Sequence, residues 1–379
     1  YLYLNISNNT FTYSIDNNTP EILLSIKDGS NNEITSVSGL TYKTVTDGKG
    51  ASIKGFDITT KKGLVTILNN REITTTSTKT EQWNVTVTFV NYNSNQAGNA
   101  GKNFSAKLMI QKEEYKQTLA EYVKSQYTGT QGENSLYYHN SSLTNGAGDN
   151  SYRYAGASDS VNNYICLGSD EATCPDANLF RIIGVFGDQT KVIRAKSVGD
   201  KQWHTSDDNT WSSSSLNTYL NGTYLTSLGT IEKKIATTTW KVGGGRGTYL
   251  TNVPKTAYRY EVGSRASTTT VDKKIGLMYV SDYYYSASPS AWTLMGYNSD
   301  ATKDYRAAKA TNWLYLGSSE WTISRDSDHS GSAFAVSIYG YMSNYVGSGS
   351  CAVRPSFNLL SSTTYVSGSG STSDPVRVN

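Results

Sequence analysis

The feature that most constrains this chain is a period of two in its first 111 residues. Trp83, Val85, Val87 and Phe89 alternate with Asn84, Thr86 and Thr88, and Phe104, Ala106, Leu108 and Ile110 repeat the pattern. Successive side chains of an extended strand point to opposite faces, so this alternation describes sheets with one face buried and one in water. Shorter β-runs stand at Phe11–Ile15, Glu21–Ile26, Ser52–Ile58, Gly63–Leu68 and Arg71–Thr75. Turn pairs separate them at Asp28-Gly29, Asp47-Gly48, Lys62-Gly63 and Asn69-Asn70. About seven strands at that spacing imply a two-sheet sandwich.

The period changes at Lys112. In Lys112–Tyr127, Tyr115, Leu119, Tyr122 and Val123 fall on one helical stripe, with Glu113–Lys116 and Glu121–Lys124 pairs outside it. This predicts a helix that joins two domains or opens the second. Residues 128–175 are rich in Gly, Asn, Ser and Tyr and lack periodicity, as a long loop or a few short strands would. A core returns from Asn178: Leu179–Phe186 and Lys191–Arg194 read as a hairpin turning at Gly187-Asp188. Ser213 can cap a helix to Leu228 that buries Leu216, Tyr219, Leu220, Tyr224 and Leu225. A short helix is expected over Ile231–Thr239, and strands over Gly276–Val280, Trp321–Arg325, Ala333–Ser337 and Ala352–Leu359. The expected division is a sandwich over 1–111, a helix over 112–127 and a second, α+β domain over 128–379.

Only 17% of residues are charged and the net charge is +3, which leaves no electrostatic basis for nucleic-acid binding. The 29 tyrosines and 33 glycines, with abundant Ser and Asn, suit adaptable binding loops, and equally a β-rich extracellular protein with long polar turns. No apolar run is long enough to span a bilayer. The chain opens on Tyr1 rather than Met, which implies a removed leader. Cys166 and Cys174 sit eight apart in a polar segment suited to a small disulfide loop, leaving Cys351 free. Both features point to export, to the cell surface or beyond.

The end of the chain carries a resemblance. Ala352–Leu359, the Gly/Ser hairpin Val366–Gly370 and the short strand Val376–Val378 resemble the close of a C-type-lectin-like domain of gut Gram-positive surface proteins. The similarity extends more remotely to the formylglycine-generating-enzyme superfamily and to the variable proteins of diversity-generating retroelements. It covers roughly Asp176 to Asn379, carried also by Trp313 and Trp321–Arg325. Leu23–Gly29 through Lys54–Ile58 looks like bacterial surface Ig-like modules, without the cysteine pair and core Trp spacing of antibody domains. The resemblance implies a mixed fold: an all-β Ig-like sandwich followed by an α+β C-type-lectin-like display domain. Most members of that superfamily bind and only some catalyse, so function must come from the site.

Candidate chemistry is sparse. His139, His204 and His329 lie in separate polar stretches and read as surface loops. No Gly-x-Ser-x-Gly elbow joins a strand to a helix. Cys351 lacks the second cysteine of formylglycine-generating enzymes, with Arg354 its only charged neighbour in sequence. Asp326-Ser327-Asp328-His329 and Asp207-Asp208-Asn209 are the densest oxygen clusters, yet neither has calcium-loop spacing, so they read as solvated turns. Gly243–Gly247 lacks the Lys-Ser/Thr of a phosphate loop. Arg354 reads as a structural guanidinium held by carbonyls or a carboxylate, and Lys107 as a solvent-facing lysine rather than an isopeptide partner. No catalytic residue, cofactor or metal ligand is expected.

Two features suggest function. Tyr283, Tyr284, Tyr285, Trp292, Tyr297, Tyr339, Tyr341 and Tyr345 fall in expected loops and form a candidate ligand face for a glycan or a protein. Leu2, Leu4 and Ile6 share one face of a strand at the chain's start. That strand pairs either with its own sandwich or with a neighbouring subunit's. The expectation is a non-enzymatic surface or filament subunit, a homopolymer built by strand addition of Leu2, Leu4 and Ile6, with an adhesive display domain. The alternatives are a monomeric lectin or adhesin and, third, a formylglycine-generating-like enzyme.

Overall fold

A computed structural model describes residues 1–72, 77, 78 and 80–379. The fold is β-rich and mixed, 32% strand and 16% helix in several sheets. It divides into two compact units, Tyr1–Tyr115 and Lys116–Asn379.

The first unit holds β1 (Leu2–Asn9), β2 (Ile22–Lys27), β3 (Tyr42–Thr46), β4 (Ser52–Asp57), β5 (Gly63–Leu68), β6 (Asn84–Phe89) and β7 (Phe104–Ile110). One sheet has the order β5-β1-β7, the other β3-β4-β2-β6. Leu4, Ile6 and Val65 from the first meet Ile22, Leu24 and Phe56 from the second in one core, which makes the unit a sandwich. The expected strand Phe11–Ile15 is absent: Asn9 turns the chain by accepting from the Phe11 N–H at 3.0 Å, and Glu21 then holds Ser14. β3 has no alternation to announce it, because none of its residues is fully buried. The run Arg71–Thr75 reaches into 73–76, outside the described residues.

The strand expected to join a neighbouring subunit pairs here in its own unit. β1 lies between β5 and β7, with Leu2, Leu4 and Ile6 opposite Ile110, Leu108 and Ala106. Without β1 the β5-β1-β7 sheet would fall into two single strands, so the strand is structural. The inner face is open elsewhere. Among the described residues β6 and β7 are both sheet edges, and Phe89 meets Phe104 across them with ring centroids 6.1 Å apart. Along this seam Phe89 is 54% exposed, Leu108 47% and Ile110 83%.

The second unit begins with a helix shorter than the stripe of 112–127 suggests. It spans Leu119–Ser125, because Thr118 caps it: the Glu121 N–H donates to Thr118 Oγ1, and Glu121 Oε2 accepts from the Thr118 N–H at 2.9 Å. Leu119, Ala120 and Val123 bury into this unit's core. Thr118 also bridges to Thr364, whose N–H and carbonyl both bond Asn379. The unit's two chain ends therefore lie side by side.

Its larger sheet runs in the order Ser356–Asn358, Gln189–Arg194, Leu179–Phe186, Tyr164–Cys166, Val376–Val378, Tyr365–Ser367. Tyr152–Tyr154, paired with Leu136–Tyr138, joins Leu179–Phe186 where Gly184 admits it. A side chain there would meet the Tyr152 carbonyl oxygen at 2.2 Å. A disulfide joins Cys166 to Cys174. A five-stranded sheet has the order Asp200–Gln202, Ser350–Ala352, Glu320–Arg325, Ser332–Val336, Met342–Val346, and Thr238–Lys241 pairs with Thr270–Lys273.

Three expectations are corrected here. Ser214, not Ser213, caps the helical stretch from Ser215, by accepting from the Asn217 N–H at 3.0 Å. The expected helix Ile231–Thr239 is a 3-10 helix, Gly229–Lys234, that gives way to strand Thr238–Lys241. Gly276–Val280 is not a strand: Gly276 makes a lone bridge to Ser356, and Val280–Tyr285 is a helix with every residue buried.

Arg354 sits where the chain passes from the smaller sheet to the larger. Its Nε and Nη2 each donate to Glu320 at 2.7 Å, and Nη2 donates to the Leu314 carbonyl at 2.5 Å. Burial pushes the Glu320 carboxyl up, against the opposing pull of Arg354. Breaking such a buried pair strands a charge, so Arg354→Met should lower unfolding free energy by about 3–5 kcal/mol. Arg354→Met with Glu320→Leu should recover much of that in chemical denaturation.

Candidate functional site

The eight aromatic residues expected on one ligand face separate into three groups. Tyr283, Tyr284, Tyr285 and Trp292 are fully buried, so they are not on a ligand face. The reason is the helix Val280–Tyr285, which is enclosed on all sides. The Tyr283 hydroxyl donates to the Gly340 carbonyl at 2.7 Å, Tyr284 to the Leu250 carbonyl at 2.6 Å, and Tyr285 to the Asn145 carbonyl at 3.2 Å. Trp292 donates its indole N–H to the Ala287 carbonyl at 3.0 Å. Tyr345 is half-buried, edge-on to Trp321, and stands apart from the rest.

Tyr297, Tyr339 and Tyr341 do converge at the surface. Tyr339 is 61% exposed and Tyr297 46%. The Tyr339 and Tyr341 rings are parallel within 5°, centroids 6.3 Å apart, and Tyr297 lies 5.2 Å from Tyr341. Gly340 makes the turn between Tyr339 and Tyr341 at φ +95°, a conformation that favours glycine. It is the same residue that receives the Tyr283 hydroxyl, so a buried tyrosine holds the turn that presents two exposed ones. Across the patch, the Met342 N–H donates to the Gly296 carbonyl at 2.9 Å and fixes Tyr297 beside Tyr341.

Arg306, which sequence reasoning missed, completes the patch. Its guanidinium lies 5.0 Å from the Tyr341 ring and 5.7 Å from Tyr297. Buried Asp304 clamps it, accepting from Nη2 at 2.6 Å and Nε at 2.9 Å. A cation held over two rings makes the platform rigid as well as aromatic.

Beside the platform runs a groove of about 260 Å³, lined by Tyr297, Tyr341, Asp326, His329 and Asn344 among others. The Asp326–His329 cluster, expected as a solvated turn, is instead built around a buried carboxylate. Asp326 Oδ2 accepts from Asn344 Nδ2 at 2.8 Å and contacts His329 Nδ1 at 2.9 Å, while Oδ1 accepts from the Asp328 N–H. Asn209, from the other oxygen cluster, donates Nδ2 to the carbonyls of Asp326, His329 and Ser332 and pins this loop. The burial of Asp326 and the role of Asn209 are not visible in local spacing, because Asn344 and Asn209 come from remote parts of the sequence. Among the described residues no group of three or more His, Cys, Asp or Glu side chains is arranged to hold a metal ion.

The other candidates disperse. His139 is buried, not in a surface loop, with Tyr285 and Trp292 packed against its ring, and burial holds its pKa well below the ordinary value. Cys351 is buried, and desolvation pushes its thiol up to about 12, far from a reactive thiolate. No helix among the described residues is long and apolar enough to cross a membrane. Leu2, Leu4 and Ile6 lie in the first unit's core.

Residues 187–361 match the family model described as a domain of unknown function, DUF6273, and this span holds the whole tyrosine platform and its groove. No curated protein and no solved structure matches the chain.

The Asp326 hydrogen bond and charge raise the His329 pKa above the ordinary 6.5. The protonated pair's stabilisation is therefore complete below 6.5 and is lost as pH climbs through the raised folded value. An NMR titration should place the His329 midpoint above 6.5, and Asp326→Asn should bring it back.

Proposed function

We propose that this chain is an exported, surface-displayed binding protein, not an enzyme, whose second unit adheres to carbohydrate through the Tyr297–Tyr339–Tyr341 platform. In this reading the first unit is an immunoglobulin-like support and the second a C-type-lectin-like display domain. The observation that carries it is a rigid, outward tyrosine platform beside a polar groove. Tyrosine offers a flat apolar face and a polar tip at low entropic cost, and the groove supplies the exposed imidazole of His329 and the amide of Asn344 for hydroxyls. The Cys166–Cys174 disulfide supports an oxidising, extracellular location. Buried Cys351, with no cysteine partner, weighs against the formylglycine-generating alternative. Binding to an array of immobilised glycans, with the intact chain, tests the proposal. Tyr339→Ala with Tyr341→Ala should weaken the best interaction at least tenfold, about 1.4 kcal/mol or more, without changing the melting temperature. Equal binding by that variant, or none by the intact chain, removes it.

The open seam favours a second reading, that copies of the chain associate into a filament by strand addition. A strand from another copy would add to the free edge of β7 and cover Leu108, Ile110 and Phe89. A contact between β7 and a different strand of the next copy is head-to-tail and builds a filament where its rotation does not close a ring. Because Leu4 lies in the core of its own unit, Leu4→Asp would report folding rather than assembly; the informative positions are Leu108 and Ile110. Light scattering and electron microscopy should find large species for the intact chain and a folded monomer for Ile110→Asp. A chain that stays monomeric at high concentration, or a variant that assembles equally well, excludes this reading.

A further inference from the structure

A second site lies in the same unit, away from the outward platform's residues. Lys191, Asp282, Arg153, Trp240, Tyr279 and Asn358 help to wall a cavity of about 260 Å³. It is built by distant parts of the chain: Arg153 from the strand that Gly184 admits, Lys191 and Asn358 from opposing positions of paired strands, and Asp282 from the buried tyrosine helix.

Charge is concentrated here, and nearly all of it is buried. Asp282 Oδ2 accepts from Lys191 Nζ at 2.5 Å, while Asp282 Oδ1 lies 3.5 Å from Arg153 Nη1. Arg153 is fixed by its other nitrogens: Nη2 contacts Asp149 at 2.6 Å and Nε donates to Ser151 Oγ at 2.8 Å. Among the described residues Nη1 has that long ion contact, and the guanidinium also lies over the Phe186, Tyr258 and Tyr285 rings at 4.6, 5.5 and 5.2 Å. Among the described residues Lys191 Nζ finds one hydrogen-bond acceptor, Asp282, and otherwise sits 4.4 Å from the Tyr279 ring and 5.1 Å from Trp240. Asn358 Oδ1 is buried with no partner among the described residues, while its Nδ2 donates to Thr238 Oγ1 at 3.0 Å.

The cavity thus presents an unmet acceptor on Asn358 beside the Lys191 ammonium, whose three donors share one hydrogen-bonded carboxylate, and the Arg153 guanidinium. Buried polar groups are rarely left so, since each costs about 1–3 kcal/mol when unsatisfied. Burial pulls the Lys191 ammonium below the ordinary lysine value even with Asp282 beside it. The group that meets donors and acceptors in one small space is the hydroxyl, which both donates and accepts. The walls carry both signs, so they suit a neutral polyol better than an ion. Trp240 and Tyr279 add an apolar wall, and the volume falls below the roughly 300–1,000 Å³ of drug-sized sites.

We propose that this cavity binds one neutral pyranose ring, its hydroxyls bridging Lys191, Asp282 and Asn358 and its apolar face against Trp240 and Tyr279. The site is independent of the platform, whose own reading can fail without it. Saturation-transfer NMR and calorimetry on the intact chain test it, using methyl glycosides of glucose, galactose, mannose and N-acetylglucosamine, with glucuronate as the charged control. At least one neutral glycoside should bind. Asn358→Ala should weaken it tenfold or more, and Tyr339→Ala with Tyr341→Ala should leave it unchanged. Thr238→Val, which loosens Asn358 without removing it, should give a smaller loss and decides the matter if Asn358→Ala fails to fold. Binding of no neutral glycoside, binding of glucuronate alone, or binding indifferent to these cavity substitutions would overturn the proposal.

Discussion

The second unit depends on one buried contact, the double hydrogen bond from Arg354 to Glu320. A guanidinium and a carboxylate taken out of water are tolerated only when each satisfies the other and little is left over. Arg354 meets that condition by also donating to Leu314, and the consequence travels. The Leu314 N–H donates to Asn312 Oδ1, and Asn312 Nδ2 donates to the Tyr283 carbonyl. Ser286 Oγ closes the same knot by donating to Asn312 Oδ1 at 2.6 Å. The helix Val280–Tyr285 is thereby fixed in place, and through the Tyr283 hydroxyl so is the turn at Gly340. An ion pair at a sheet crossing thus sets the position of rings on the surface.

The same helix explains why one residue type serves two ends. Tyr283, Tyr284 and Tyr285 are buried because three successive helical residues face three directions and all of them are covered. Their hydroxyls then need acceptors, and the acceptors they find are backbone carbonyls at two turns and a helix end. Asp282, which precedes them in sequence, points its carboxylate at Lys191 and Arg153. One short helix therefore braces the exposed platform and supplies a charged wall of the cavity.

The readable stretches of the sequence were those where one physical signal acted alone. Gly63–Leu68 and Phe104–Ile110 appear with the bounds that alternation suggests, and the Leu179–Phe186 hairpin follows its apolar run and its Gly-Asp turn. The stripe in 112–127 was visible, but the Thr118–Glu121 box that shortens it competes with that stripe and wins. Tyr283–Tyr285 misled because enclosure on all sides removes periodicity, which leaves a buried helix looking like an aromatic loop. Asn209 and Asn344 gave no local sign, since each acquires its role from a partner brought near only by folding, and the Asp304–Arg306 pair gave no sign of the Tyr341 ring that folding sets beside it. Arg354 was legible because a charge set among apolar residues beside Pro355 must find a buried acceptor wherever its strand packs.

The meeting of Thr118, Thr364 and Asn379 has a mechanical consequence. Tension applied to the second unit through its two ends enters and leaves at neighbouring points, so its line of action skirts the interior. The segments 117–119 and 377–379 both run antiparallel to 363–365, and so parallel to each other, which loads the hydrogen bonds around Thr364 together, along the strands. The tyrosine interior and the rings it supports feel the pull only after that clasp has opened, so the unit can be tugged at its attachment without distorting the surface it presents.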